Sequence, residues 1–148
     1  MALAARFGDP LAMAELCVAT DLSPGSAPAV DLACRWARAL RASLVLLHVV
    51  HDPVLAPALG NDVPGDVAAA KQQLQQLADA APDIACRVDV RTADDVVGTI
   101  VAAAAAADYL FVGSHGRSGF QRLRLGSVAA AVLRQCHVPV VCLPPVRQ

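Results

Sequence analysis

Five short, largely aliphatic runs punctuate the chain, and between them apolar residues return with the period of a helix. The runs are Glu15–Thr20, Ser43–Val50, Ile84–Arg91, Tyr109–Val112 and Val138–Leu143. The intervening segments are Pro28–Arg41, Asp66–Ala81, Asp94–Ala107 and Val128–Cys136. In the first of these, Val30, Ala33, Cys34, Ala37 and Leu40 fall on one helical face. Parallel strands need a crossover between them, and a helix supplies it, so this alternation predicts an α/β domain with a parallel sheet. Ser43–Val50 is almost continuously aliphatic, as a strand covered on both faces must be. Ile84–Arg91 instead alternates apolar with mostly charged residues and belongs at a sheet edge. Right-handed crossovers then favour a single doubly wound domain with strand order 3-2-1-4-5 and helices on both faces. That order reverses the chain between strands one and four, and ligands bind there, beyond the carboxyl ends of the strands.

Both strand endings at this switch point look chemical. Strand one ends in Ala19-Thr20-Asp21, followed by the turn-forming Leu22-Ser23-Pro24-Gly25-Ser26. Strand four stops at Gly113, and glycine returns at Gly116, Gly119 and Gly126. Arg117, Arg122 and Arg124 stand between them with no acid in the interval. Ser127 then caps the expected helix Val128–Cys136. Close backbone approach, or a turn with φ > 0, would explain glycine at Gly116 and Gly126. A helix N-terminus adds free N–H donors and a partial positive charge. Strand, basic glycine-rich loop and helix together make an anion cradle for phosphate. The spacing is neither that of a P-loop nor of a dinucleotide fingerprint, and the plain alternative is a surface connector.

Composition narrows the class. The 148 residues suit one domain, in which residues 1–14 read as a loose leader and 15–148 as the folded unit. The hydrophobic share is 56% but aromatics supply only 3%, so small aliphatic side chains must pack helices closely on the sheet. No apolar run approaches the roughly 20 residues that cross a bilayer. With no signal peptide recognised, the expectation is a cytoplasmic protein away from membranes. A net charge of −1 and a pI near 6.4 argue against nucleic acid as partner. The five cysteines form no C-x-x-C pair and read as small buried thiols. A proline- and glycine-rich stretch, His51–Gly65, reads as a mobile loop.

Gly113-x2-Gly116-x9-Gly126-Ser127 resembles the nucleotide-binding signature of the universal stress protein family, with every small residue in place. The likeness extends over the chain after about residue 14. It takes in Ala19-Thr20-Asp21 with Ser23, Leu47-His48-Val49-Val50 and Val138-Pro139-Val140. The resemblance implies that Asp21 contacts the nucleoside, with Ala19 and Thr20 along the same edge. It implies adenine contact by the backbone at Val49. Ribose and phosphates fall to Val112, Gly113, His115, Gly116, Gly126, Ser127 and Val128. Ala129 stands where some members offer a hydroxyl. The implied ligand is ATP, with or without Mg2+, and the implied assembly is a homodimer through Val138–Leu143.

The residues keep simpler readings beside these. Asp21 serves equally to cap the turn that follows it. His115 either donates to a phosphate or stays solvated on its loop, and no acid adjoins it in sequence to orient it as a base. His48 reads as structural, while His51 and His137 lack a partner at metal-ligand spacing. The three arginines read as a solvated rim from which one could reach a phosphate. The leading function is an ATP-binding stress-response sensor or regulatory module, not an enzyme. A nucleotide-free scaffold of the same fold and a slow ATP hydrolase are the alternatives. A dedicated nucleotide α-hydrolase fits poorly, because Ser23-Pro24-Gly25 is not the serine-glycine-glycine loop that such enzymes carry after strand one.

Overall fold

The computed structural model describes residues 13–51, 67–115 and 125–145. It contains β1 (Glu15–Ala19), a 3-10 turn (Pro24–Ser26), α1 (Ala27–Leu40), β2 (Ser43–His51), α2 (Val67–Asp79) and β3 (Cys86–Ala93). Then follow α3 (Val96–Ala104), β4 (Tyr109–Gly113), α4 (Ser127–Gln135) and β5 (Val140–Leu143). The five strands form one parallel sheet in the order β3-β2-β1-β4-β5, as the patterning requires. The leader and most of the His51–Gly65 loop lie outside the described residues, as do Gly116, Gly119 and the three arginines of the glycine-rich segment.

The sheet carries a core on each face. Leu16, Val18, Leu44, Leu46 and Phe111 pack with Ala29, Val30, Ala33 and Ala37 of α1 and Leu74 of α2. Cys17, Val45, Leu47, Leu110 and Val112 pack on the other face with Ile100 and Ala104 of α3 and Val132 of α4. Alanines at the contacts let helix backbones come close, and the three aromatics among the described residues are concentrated together. Trp36 meets Tyr109 and Phe111 edge-on, with ring centroids 5.6 and 5.3 Å apart. At the amino ends of the central strands, Glu15 N–H donates to Asp108 Oδ2 at 2.8 Å and Asp108 N–H to the Glu15 carbonyl at 2.7 Å. β1 and β4 are thereby fixed side by side before their carboxyl ends open on the cleft.

Several boundaries differ from the sequence reading, each for a local reason. β3 begins at Cys86 because Ile84 is held in a turn, its N–H bonded to the Ala81 carbonyl. β5 begins at Val140, which pairs with Leu110, while the preceding Pro139 contributes only its carbonyl, 2.9 Å from Leu110 N. α3 stops at Ala104, and the Ala105 and Ala107 N–H groups turn back to the carbonyls three residues earlier. Its start is capped by Asp95, whose carboxylate accepts from Gly98 N–H at 2.8 Å. Ser127 is not the cap of α4. Gly126 occupies that position and Ser127 is the first helical residue, with no side-chain capping bond.

Candidate functional site

The carboxyl ends of β1 and β4 open into a cavity of about 460 Å3. Side-chain alternation explains its base. Ala19, Val49 and Val112 all belong to the face covered by α3 and α4, and they form an apolar floor there. Val96 and Ile100 of α3 add a second apolar wall that the sequence reading did not foresee.

One rim is the turn after β1. Ser26 Oγ donates to the Ser23 carbonyl at 2.9 Å, so its proton is committed. In the 2.7 Å contact between Thr20 Oγ1 and Ser26 Oγ, the donor must therefore be Thr20. Thr20 Oγ1 in turn accepts from Leu22 N–H at 3.0 Å. This directed relay holds Leu22 at φ 64°, a left-handed conformation that leucine seldom adopts. Leu22 packs against the α1-side core, which anchors the strained residue. Asp21, just before it, lines the cavity while its Oδ1 accepts from Ser23 N–H at 2.9 Å and Ser23 Oγ at 2.5 Å. The capping and ligand-facing readings of Asp21 are thus compatible.

His48 supports the same turn from beneath. Its ring is buried, and Nδ1 lies 2.8 Å from the Thr20 carbonyl, so Nδ1 carries the proton. By alternation it sits with Leu44 and Leu46 on the α1 side of the sheet, which fits its structural reading.

The other rim is built from β4 and α4. A β-carbon at Gly113 would lie 3.2 Å from the Gly25 carbonyl oxygen and 3.3 Å from Ser26 Cα. The 3-10 turn passes close there, so a side chain at Gly113 would push on that turn, and Gly113 also lines the cavity. Ser114 N–H donates to the Leu143 carbonyl and its own carbonyl accepts from Gly126 N–H, both at 2.7 Å. Gly126 has φ −59° and ψ 154°, so the expectation of a positive-φ glycine does not hold at this position. The helical ladder starts with Ala130 N–H bonded to the Gly126 carbonyl. The N–H groups of Ser127, Val128 and Ala129 are left without intrahelical acceptors, and all three residues line the cavity.

Of the residues singled out from sequence, Ala19, Thr20, Asp21, Val49, Val112, Gly113, His115, Gly126, Ser127 and Val128 surround this one cavity. Gly116 lies outside the described residues. Ser26 and Ser114 line the cavity too and were not anticipated. Ser114 was legible in principle, two residues beyond Val112 and hence on the same side of the strand. Among the described residues no lysine or arginine lines the cavity. Attraction for an anion therefore comes there from backbone dipoles. No cluster of three or more metal-ligating side chains occurs among the described residues.

A doubly wound α/β domain with a cleft at its topological switch point, floored by aliphatics and rimmed by free helix amides, has the architecture in which folds of this type hold small ligands. The chain belongs to the universal stress protein family, whose model matches residues 13–144. It is similar to a universal stress protein solved in complex with cAMP, at 28% identity over 91% of this chain and 99% of that one, with a TM-score of 0.67. The fold is shared with UspA from Lactobacillus plantarum, at 22% identity, coverage of 89% and 99%, and a TM-score of 0.72. It is also shared with an Archaeoglobus fulgidus universal stress protein solved with dAMP, at 20% identity, coverage of 89% and 98%, and a TM-score of 0.64. Among the described residues no helix is long and apolar enough to cross a membrane.

Proposed function

We propose that this protein binds an adenine nucleotide, ATP in the first place, and acts as a cytoplasmic sensor or regulatory module of the stress response. The observation that carries this reading is the facing arrangement of two unlike rims across one apolar floor. On one side stand the three free amides that open α4, and on the other the carboxylate of Asp21. Amides at a helix start suit phosphate oxygens. A carboxylate repels phosphate but accepts well from a ribose hydroxyl. The aliphatic floor at Ala19, Val49 and Val112 suits the flat face of a base. Mg2+ would arrive on the phosphates of ATP, since the described residues form no metal cluster.

The relative solved with cAMP supports a second ligand of the same class, a cyclic mononucleotide. Isothermal titration with ATP, ADP, AMP and cAMP separates the two, supported by mass spectrometry of nucleotide released from freshly purified, heat-denatured protein. ATP binding tighter than cAMP binding by tenfold or more is expected. Tighter cAMP binding would reassign the ligand. No binding of any of the four would leave the nucleotide-free scaffold as the function. The same reading includes a homodimer joined along the outer edge of β5.

A further inference from the structure

His48 uses one ring nitrogen in the fold and leaves the other open. Nδ1 donates to the Thr20 carbonyl at 2.8 Å, so in the neutral ring Nε2 is an acceptor. Nε2 has no hydrogen-bond partner among the described residues. Yet no sealed side-chain nitrogen or oxygen among them goes without a bond. Nε2 therefore reaches open space. The residue is only 8% exposed and it lines the cavity, so the opening is the cavity itself. A nitrogen acceptor held this firmly, with its tautomer set by a backbone carbonyl, is fitted to read a hydrogen-bond donor on a ligand.

The strand order says which part of a ligand meets this nitrogen. The free amides open the helix that follows β4, Asp21 follows β1, and His48 lies on β2, the next strand across. Neighbouring strands lie about 4.8 Å apart, so a nucleotide with phosphates at the amides and ribose at Asp21 carries its base to β2. We infer that His48 Nε2 accepts a hydrogen bond from the exocyclic amine of that base, and so selects 6-amino over 6-oxo purine nucleotides; this rests on the nucleotide-binding reading of the site. A 6-amino group fills the acceptor. A 6-oxo group sets oxygen against a nitrogen lone pair and leaves a covered acceptor unpaired, an arrangement that discriminates strongly between ligands of the same shape. The reader is also tied to the rim that carries Asp21, because Nδ1 holds Thr20 and the Thr20 hydroxyl holds Leu22 N–H. Base and ribose contacts thus share one support.

The test titrates the full chain with ATP, with ITP, whose base carries a carbonyl in place of the amine, and with purine riboside triphosphate, which has hydrogen there. Calorimetry should find ATP tighter than either by about tenfold or more, the scale of one hydrogen bond. His48→Asn keeps a side-chain N–H near the Nδ1 position for Thr20 but removes Nε2. It should melt close to the wild type and bind the three nucleotides alike. Nitrogen-15 spectra of the histidine-labelled wild type give a readout that needs no variant. The unprotonated Nε2 signal of His48 should move upfield with ATP and far less with purine riboside triphosphate. ATP bound no tighter than the other two, a folded His48→Asn that still prefers ATP, or an Nε2 signal that ignores ATP overturns the inference while the nucleotide reading stands. None of the three bound overturns both.

Discussion

The amide of Gly126 donates to the carbonyl of Ser114 at 2.7 Å, and this bond latches the end of β4 to the start of α4 across the glycine-rich segment between them. The latch consumes the Gly126 N–H, so the amides left for an anion are those of the next three residues. It also separates two reasons for glycine. At φ −59° and ψ 154° a substituted residue meets no chiral penalty, so any penalty arises from what its side chain meets.

Gly126→Val should therefore fold with a melting temperature close to that of the wild type and bind ATP at least about tenfold more weakly, a loss of roughly 1.4 kcal/mol. Titration with a fluorescent ATP analogue measures the affinity, and a thermal melt checks the fold. Unchanged affinity in the folded variant would remove the anion cradle from this rim.

Asp21 both closes a turn and borders the cavity, and the choice of substitution separates the two. Its Oδ1 closes the turn through both Ser23 donors, and the carboxylate also borders the cavity. Asparagine retains an acceptor oxygen for the turn but loses the charge. Asp21→Asn should keep thermal stability while weakening ATP and adenosine by similar factors, since a charge-assisted bond to a ribose hydroxyl is worth about 1.5–3 kcal/mol. Asp21→Ala should lower both stability and affinity. Calorimetry with ATP and adenosine on the two variants decides the matter. A loss confined to ATP would move Asp21 from the ribose to the phosphates or their metal.

The topology was readable because each strand's burial is written into its composition. Continuous aliphatics mark β2 as central and charged alternation marks β3 as an edge, and with right-handed crossovers little freedom remains. Site residues near strand ends were readable for the same reason, since the switch point follows from the strand order. The detail that holds the site was not. Thr20, Leu22, Ser23 and Ser26 carry no period, and their hydroxyl relay exists only because the 3-10 turn brings Ser26 back over Thr20. Gly113, read as a ligand-side glycine, lines the cavity and also packs closely against Gly25 and Ser26, a contact that motif spacing does not show. The wall from Val96 and Ile100 depends on how α3 docks on the sheet, which helical periodicity does not specify.

The cysteines give a pH-dependent test of the core. Burial on the α3 side of β1 pushes the Cys17 thiol up from 9.0 to about 12, with a smaller contribution from nearby Glu15. Between these values the folded chain holds a proton that the unfolded chain releases. The contribution of this thiol to stability is thus complete below 9.0 and declines as pH rises toward about 12. Denaturant melts across that window should show a slope that flattens in Cys17→Ala. Alkylation followed by peptide mapping should find Cys17 the last thiol modified in the folded protein. Early modification of Cys17 under native conditions would contradict its burial.

The outer edge of β5 has no neighbouring strand among the described residues. The carbonyls of Pro139 and Leu143 accept from Leu110 and Ser114 N–H, so alternate residues of β5 point their backbone at β4. Val140 and Cys142 therefore turn theirs outward, away from β4. This strand carries no charge from Val140 to Leu143, and such an edge invites pairing with another strand. A second copy about a two-fold axis satisfies both edges at once. A lysine at Val141 would be a poor probe, because that side chain packs on the α1-side core with Trp36 and Phe111 as neighbours in the cluster. Cys142→Pro is cleaner: it deletes an outward N–H and leaves the ladder to β4 intact, as edge strands tolerate. Sedimentation equilibrium at tens of micromolar, an order of magnitude at which interfaces of standard size persist, should give a dimer for the wild type and a folded monomer for the variant. A monomeric wild type, or a dimer unchanged by Cys142→Pro, would rule this edge out as the interface.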